Sequence, residues 1–221
     1  MVIIQEETTR NPITLMGKEA GICYDSADSP SRNYKRGLEC LETNHGRVLE
    51  FPQVYMIIGD HSAKFARELY THIGGAPTRL QASTRYVDYR NKLNYIIPHT
   101  VYENDKALKI YEEALENIRN ATEQLAELNI PKEDYSMLYP LGMTSKVVVR
   151  TNLRNLIDMS HQRMCTRAFW EFRNVFSELD CALSNYSEEW KYIVENYFMP
   201  KCQYLGYCPE KNSCGKMPKR Q

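Results

Sequence analysis

No stretch of the 221-residue sequence approaches eighteen continuous apolar residues, and the amino-terminal MVIIQEETTR turns acidic within a few residues. Neither a membrane-spanning helix nor a secretory signal is expected, and the reading points to a cytoplasmic protein. Net charge is lacking too, with 28 Lys and Arg against 28 Asp and Glu. The total therefore predicts neither a nucleic-acid partner nor an anionic membrane, and any anion site has to be local. Internal repeats, low-complexity segments and any composition break before about residue 200 are absent as well. The seven cysteines are odd in number and scattered (23, 40, 165, 181, 202, 208 and 214), which in a non-secreted chain reads as mostly free thiols. What remains is a chain long enough to bury a core without staples, and one α+β domain is the economical expectation.

Element types alternate along the chain. Residues 32–44 (SRNYKRGLECLET) predict a helix that stops at Asn44-His45-Gly46, and a β-rich run, VLEFPQVYMII, follows over 48–58. A second helix is expected from about Ser62 through ARELYTHI, closed by Gly74 and Gly75, after which the chain runs into a strand. From Asn104 to Leu128 the apolar positions Leu108, Tyr111, Leu115, Ile118, Leu125 and Leu128 keep the spacing of an amphipathic helix. A strand over 144–151 (TSKVVVRT) leads into helical NLRNLIDMSHQRM, and two more helices are expected at roughly 166–184 and 188–198.

Two segments could carry chemistry. In HIGGAPTRLQASTRYVDY (72–89), two glycines release the chain from a helix, Pro77 stiffens the turn, and Thr78, Arg79, Gln81, Ser83, Thr84 and Arg85 offer hydroxyl, amide and guanidinium donors. Guanidinium forks suit phosphate oxygens and neighbouring tyrosines can cover a flat ring, so a nucleotide cradle is one reading. A polar loop whose arginines pair with surface carboxylates is the other. In the second segment, a strand passes through Thr151 and Asn152 into a helix whose start offers unpaired N–H groups to an anion or a polar ring edge. In a continuous helix Asn152 and Arg163 would share a face about 16 Å apart, a span that suits a large ligand. A capped helix with a solvated basic face accounts for the same residues.

Taken together, these segments resemble the flavin-dependent thymidylate synthase family from about residue 40 to 198. The family places a histidine at a helix end, matched by His72, and then a run ending Gln/Glu-x-Ser-x-Arg-Tyr, matched by Gln81-Ala82-Ser83-Thr84-Arg85-Tyr86. A later signature is matched by Tyr139-Pro140-Leu141, Asn152-Leu153-Arg154-Asn155-Leu156, Arg163 and Ala168-Phe169-Trp170-Glu171.

The resemblance implies an α+β fold with a central twisted sheet flanked by helices over residues 1–200, followed by a Cys- and Lys-containing tail over 201–221. It implies an enzyme making dTMP from dUMP, with methylene-tetrahydrofolate as one-carbon donor, FAD as cofactor and NADPH as reductant. Such proteins are homotetramers whose active sites are shared between subunits. On the matching positions Gln81, Ala82, Ser83, Thr84 and Arg85 would hold dUMP, and Glu68 would approach it from a neighbouring subunit. Arg163 would sit against the uracil carbonyl and N3, stabilising the charge that develops as C5 becomes nucleophilic. His72, Gln81, Asn152, Arg154 and Asp158 map to flavin-contacting positions, and Arg79 is expected to join them.

That expectation for Arg79 comes from the departures. Thr71 and Ile73 stand where the family has arginines beside the histidine, and Arg79 on a lengthened loop could return one cation to the FAD or nucleotide phosphates. Ser136 occupies the place of a further arginine that contacts dUMP. The segment His45–Phe51 loosely matches the family's flavin-binding strand. In the tail, Cys202-x5-Cys208-x5-Cys214 has wider spacing than structural zinc pairs and no suitable histidine follows, so free thiols and no metal are expected, with a disulfide or a zinc site as the alternative readings. Cys165 is expected to be a buried helix thiol, and Trp170 and Phe172 to pack. Two other readings stay open: a relative acting on another pyrimidine nucleotide or adding a different one-carbon group, and a non-catalytic nucleotide- or RNA-binding protein using Arg79, Arg85 and Tyr86 as a stacking and phosphate platform.

Overall fold

The computed structural model describes residues 1–90 and 93–220, so Gln221 of the expected tail lies outside the described residues. Its elements in chain order are β1 (Val2–Ile4), α1 (Pro12–Ile22), α2 (Pro30–Glu42), β2 (Gln53–Ser62), α3 (Ala63–Leu69), β3 (Thr78–Gln81), α4 (His99–Tyr102), α5 (Asp105–Glu127), α6 (Lys132–Tyr135), β4 (Thr144–Asn152), α7 (Leu153–Arg163), α8 (Trp170–Tyr186), α9 (Glu188–Tyr197) and α10 (Lys201–Leu205). The class is α+β, with a four-stranded sheet in the order β1-β2-β4-β3 and β1 antiparallel to β2, Val2 opposite Ile58. Two compact units divide the chain: Met1–Ile58 with Tyr70–Arg79 and Val148–Gln221, and Gly59–Leu69 with Leu80–Val147.

In the first unit, Val54, Met56 and Ile58 alternate inward along β2, and α7 and α8 bring Leu153, Leu156, Phe172, Phe176 and Leu183 to the same buried core. Trp190 of α9 is fully buried, and its indole N–H donates to the Thr9 carbonyl at 2.8 Å, so a large apolar body is buried without stranding its one polar atom. Helices α1 and α2 touch through glycine. A Cβ on Gly17 would lie 1.7 Å from the Asn33 carbonyl oxygen, and one on Gly37 would lie 1.9 Å from that of Ile13. The start of α1 is capped from far along the chain. One carboxylate oxygen of Glu189 accepts from the Ile13 and Thr14 amides at 2.7 and 3.0 Å, satisfying donors that a helix leaves unpaired.

In the second unit, Tyr89, Leu93 and Met143 form a small buried cluster with Ala63, Tyr95 and Tyr139 against it. Helix α5 forms as its stripe predicts, started by Asn104, whose side chain accepts from the Ala107 amide. Strand β4 and helix α7 also form where expected.

Several boundaries differ. Val48–Glu50 is a 3-10 turn rather than strand, and β2 begins only at Gln53, just past the imide of Pro52. Helix α3 stops at Leu69, before the expected Ile73, and α8 begins at Trp170 rather than 166. Cys165 is not a helix residue: α7 ends at Arg163, and the thiol sits half-buried in the turn toward α8.

Candidate functional site

The sequence-predicted residues fall into two clusters, one in each unit. In the first unit the chain leaves α3 through Tyr70-Thr71-His72 and turns at Gly74-Gly75. Gly75 adopts φ +67°, and a Cβ there would meet the Asn152 amide nitrogen at 2.2 Å; a Cβ on Gly74 would lie 2.9 Å from the Asn155 side-chain oxygen. Only glycine lets this loop press against the start of α7. Asn152, itself buried, caps α7 by accepting from the Asn155 amide at 2.9 Å, and its own amide donates to the Gly75 carbonyl at 3.5 Å. Both ends of that side chain are therefore committed to holding loop and helix together.

This loop places His72, only 8% exposed, under the last residue of α7. The Arg163 Nε–H donates to His72 Nε2 at 2.7 Å, and the guanidinium carbon stands 4.6 Å over the Phe172 ring, which also meets the His72 ring edge-on at 5.6 Å. Burial, then the nearby charges of Arg163 and Arg79, push His72 down to about 4. The imidazole is thus neutral at physiological pH, and its accepting Nε2 puts the ring proton on Nδ1. Arg163 also donates to the Thr71 hydroxyl at 3.5 Å. A cation is set in plane and position by a neutral acceptor below and an aromatic face beside it.

Arg79 reaches back to the backbone around His72. It donates to the His72 carbonyl and, at 3.2 Å, to the Tyr70 carbonyl, and lies 5.3 Å over the Tyr70 ring. Both carbonyls lie in the turn just past the end of α3, so Arg79 fixes the backbone that carries His72. Arg154 pairs with Glu50 at 2.7 Å across an exposed surface. Asp158 is exposed and lines a cleft of about 410 Å³ together with His72, Asn155, His161, Gln162 and Lys201.

In the second unit, the loop after β3 carries the expected nucleotide residues. The Ala82 amide donates to the Lys146 carbonyl at 2.9 Å, fixing the loop to β4, and Gln81 donates to the Ser145 hydroxyl at 3.2 Å. Ser83 accepts from the Arg85 amide at 3.2 Å, a local turn bond that leads into Thr84 and Arg85. Arg85 pairs with Glu133 at 2.9 Å with both side chains more than half exposed. The pairing of a loop arginine with a surface carboxylate is thus realised in this chain, at an energy of about 1 kcal/mol or less. Ser136 is buried and donates to the Glu133 carbonyl at 3.2 Å. Glu68 lies on α3 in the same unit.

Residues 6–184 match the family model described as thymidylate synthase complementing protein. The chain belongs to that family. Among its relatives, the flavin-dependent thymidylate synthase of Nitratidesulfovibrio vulgaris is 29% identical over 194 residues, covering 82% of this chain and 75% of that protein. The enzyme of the same name from Clostridium tetani is 26% identical, covering 95% and 91%. A crystal structure of the flavin-dependent thymidylate synthase from Helicobacter pylori, complexed with FAD and dUMP, shares the fold with a TM-score of 0.69 at 20% identity, over 89% of this chain and 99% of that one. The His72–Arg163 pair, 91 positions apart, falls within the family-matched segment. Sequence reasoning named both residues without their bond, and it missed Thr71, Gly75 and Phe172 as their supports. The abrupt Gly74-Gly75 pair was the available signal, because a loop that needs φ > 0 beside a helix start signals close backbone approach.

Proposed function

We propose that this chain is a thymidylate synthase that methylates dUMP to dTMP, with FAD as cofactor, methylene-tetrahydrofolate as one-carbon donor and NADPH as reductant. The observation that carries the reading is Arg163, held in place by neutral His72 at the end of a helix inside the family-matched segment. Arg163 would meet the uracil carbonyl and N3, where a fixed cation lowers the energy of the charge that develops as C5 becomes nucleophilic. A positive charge positioned before substrate arrives needs no reorganisation during the step. No protein nucleophile is required, which leaves Cys165 outside the reaction.

The phosphate and sugar of dUMP would be taken by Arg85, Ser83, Thr84, Gln81 and the Ala82 backbone, after Arg85 exchanges its weak pair with Glu133 for a bidentate phosphate contact. Glu68 would approach the nucleotide from a neighbouring copy of the chain, in a homotetramer whose subunits share active sites, working in the cytoplasm. The donor set around the 410 Å³ cleft suits FAD, since Lys201, Gln162 and His161 can meet phosphate and hydroxyl groups, Asp158 can accept from hydroxyls, and His72 borders the same space. FAD bound there would supply the hydride chemistry. Arg154 would contribute its charge beside the cleft that it lines with Asp158 and Gly46, and Asn152 and Arg79, which hold the loop that presents His72, would contact the flavin or its phosphates.

The test is release of tritium from C5-labelled dUMP by the purified protein with FAD and NADPH. Exchange that requires both compounds supports the reading, and dUMP binding without exchange rejects it. A colourless protein with strongly salt-dependent RNA affinity would favour the non-catalytic reading instead.

A further inference from the structure

Four of the seven cysteines, Cys165, Cys202, Cys208 and Cys214, line one cleft of about 510 Å³ in the first unit. Three of them lie in the tail, past the family-matched segment that ends at residue 184. The tail is tied to the turn that follows α7. Arg167 donates to the Glu210 carboxylate at 3.3 Å and to the Asn212 carbonyl at 3.0 Å, and the Cys208 amide donates to the Pro218 carbonyl at 2.6 Å. Cys214 reaches the same turn, because the Thr166 side chain hydrogen-bonds its sulfur. Thr166 is the chain neighbour of Cys165, so this bond holds Cys214 beside the turn that carries Cys165, and both thiols line the same cleft.

The surroundings of Cys214 favour its thiolate. Gly215 takes φ +84°, a conformation that turns the chain so that the Lys216 amide also hydrogen-bonds the Cys214 sulfur. The Thr166 bond first, and the Lys216 amide after it, hold this exposed thiol below the usual range. Of the four cysteines lining the cleft, Cys165 and Cys202 are half-buried and Cys208 buried, so Cys214 is the one a small oxidant reaches most readily. Among the described residues no three His, Cys, Asp or Glu side chains stand at metal-holding distance, which separates this cluster from a preformed metal cage.

We propose that Cys165 and Cys214 are a reversible redox pair that, on reaction with hydrogen peroxide, fastens the carboxyl-terminal tail to the turn beside Arg163. The Cys214 thiolate attacks one peroxide oxygen, the O–O bond breaks, and hydroxide leaves, giving a sulfenic acid. Cys165 sulfur then attacks that sulfur, the S–O bond breaks, and the Cys165 thiol proton leaves with the departing oxygen as water. In sum two thiols are oxidised to one disulfide and one peroxide is reduced to two waters. A dithiol reverses the bond by exchange. The crosslink lies two residues from Arg163, so it restrains the end of α7 from the tail side.

The inference does not rest on the proposed enzyme activity, and its readout is covalent. Full-length protein is treated with one equivalent of hydrogen peroxide, and intact mass and peptide mapping follow. The expected result is loss of two hydrogens, one linked peptide pair joining Cys165 to Cys214, and recovery of both thiols with dithiothreitol. Cys214→Ser abolishes the crosslink, Cys202→Ser keeps it, and Cys165→Ser leaves a Cys214 sulfenic acid that dimedone captures. Cys214→Ala repeats the first variant should serine disturb the Thr166 contact. A wild-type product that stops at the sulfenic acid, a crosslink that survives Cys214→Ser and Cys214→Ala, or a bound metal ion that shields both thiols would each overturn the proposal.

Discussion

Lowering the pH should dissolve the pairing of His72 with Arg163, and the size of the effect can be worked from the structure. His72 titrates at about 4 in the folded chain against an ordinary 6.5, because it is buried and faces two arginines. The unfolded chain therefore binds a proton at this site between pH 6.5 and 4 while the folded chain does not, so falling pH favours unfolding across that window. The site contributes its full stability above pH 6.5, loses it progressively through the window, and has lost it below pH 4. At 1.36 kcal/mol per unit the total is about 3 kcal/mol, a large share of the 5–15 kcal/mol that holds a domain folded. Urea unfolding followed by circular dichroism at steps from pH 7 to 4 measures the slope. His72→Gln keeps a neutral acceptor for the Arg163 Nε–H without a titrating ring, so its stability should fall less steeply over the same window by about one proton. Equal slopes for the two proteins, or a His72 ring that titrates near 6.5 by NMR, would refute the assignment of a neutral imidazole under Arg163.

Three further outcomes follow from the same geometry. Gly75→Ala forces a Cβ onto the Asn152 amide at φ +67° and should lower stability by about 2 kcal/mol or more, read as a drop in the melting temperature together with weakened FAD binding. Asp180→Asn should stabilise the protein at pH 8, since burial pushes this carboxyl up to about 7 and its Oδ1 finds no hydrogen-bond partner among the described residues. A raised carboxyl pKa penalises the fold above that value, so the gain should shrink as pH falls from 7 toward 4, and a gain that stays constant with pH would point to packing instead. Arg154→Ala breaks only an exposed pair with Glu50 and should change unfolding free energy by about 1 kcal/mol or less; a larger loss of FAD affinity in the same variant would locate its role in ligand binding.

What could be read from the sequence depended on how local the cause was. Helix α5 was legible because its stripe and its Asn104 cap lie within one stretch, and β4 with α7 because alternation passes into a capped start at Asn152. Helix α1 was missed. Its face against α2 carries Gly17, and its amino end is satisfied by Glu189, so the forces that hold it come from helix contact and from a residue 176 positions away. The run from Val48 had strand composition, yet β2 begins only after Pro52 and a 3-10 turn comes first. At the candidate site, residue types were readable and their partnerships were not. His72 and Arg163 each stood out by position, but their bond depends on a glycine turn pressed against α7. Arg79 stood out as a cation, but its bonds to the Tyr70 and His72 carbonyls depend on how the chain turns after α3 and were not legible.

The most direct test of the central claim is to compare the chain with its Arg163→Ala variant by tritium release from C5-labelled dUMP, with FAD and NADPH present. A cation held at the uracil to stabilise charge at the moment of reaction predicts that the variant still folds and assembles but loses exchange by about two to three decades. Exchange at near the parent rate in a folded Arg163→Ala protein would contradict it.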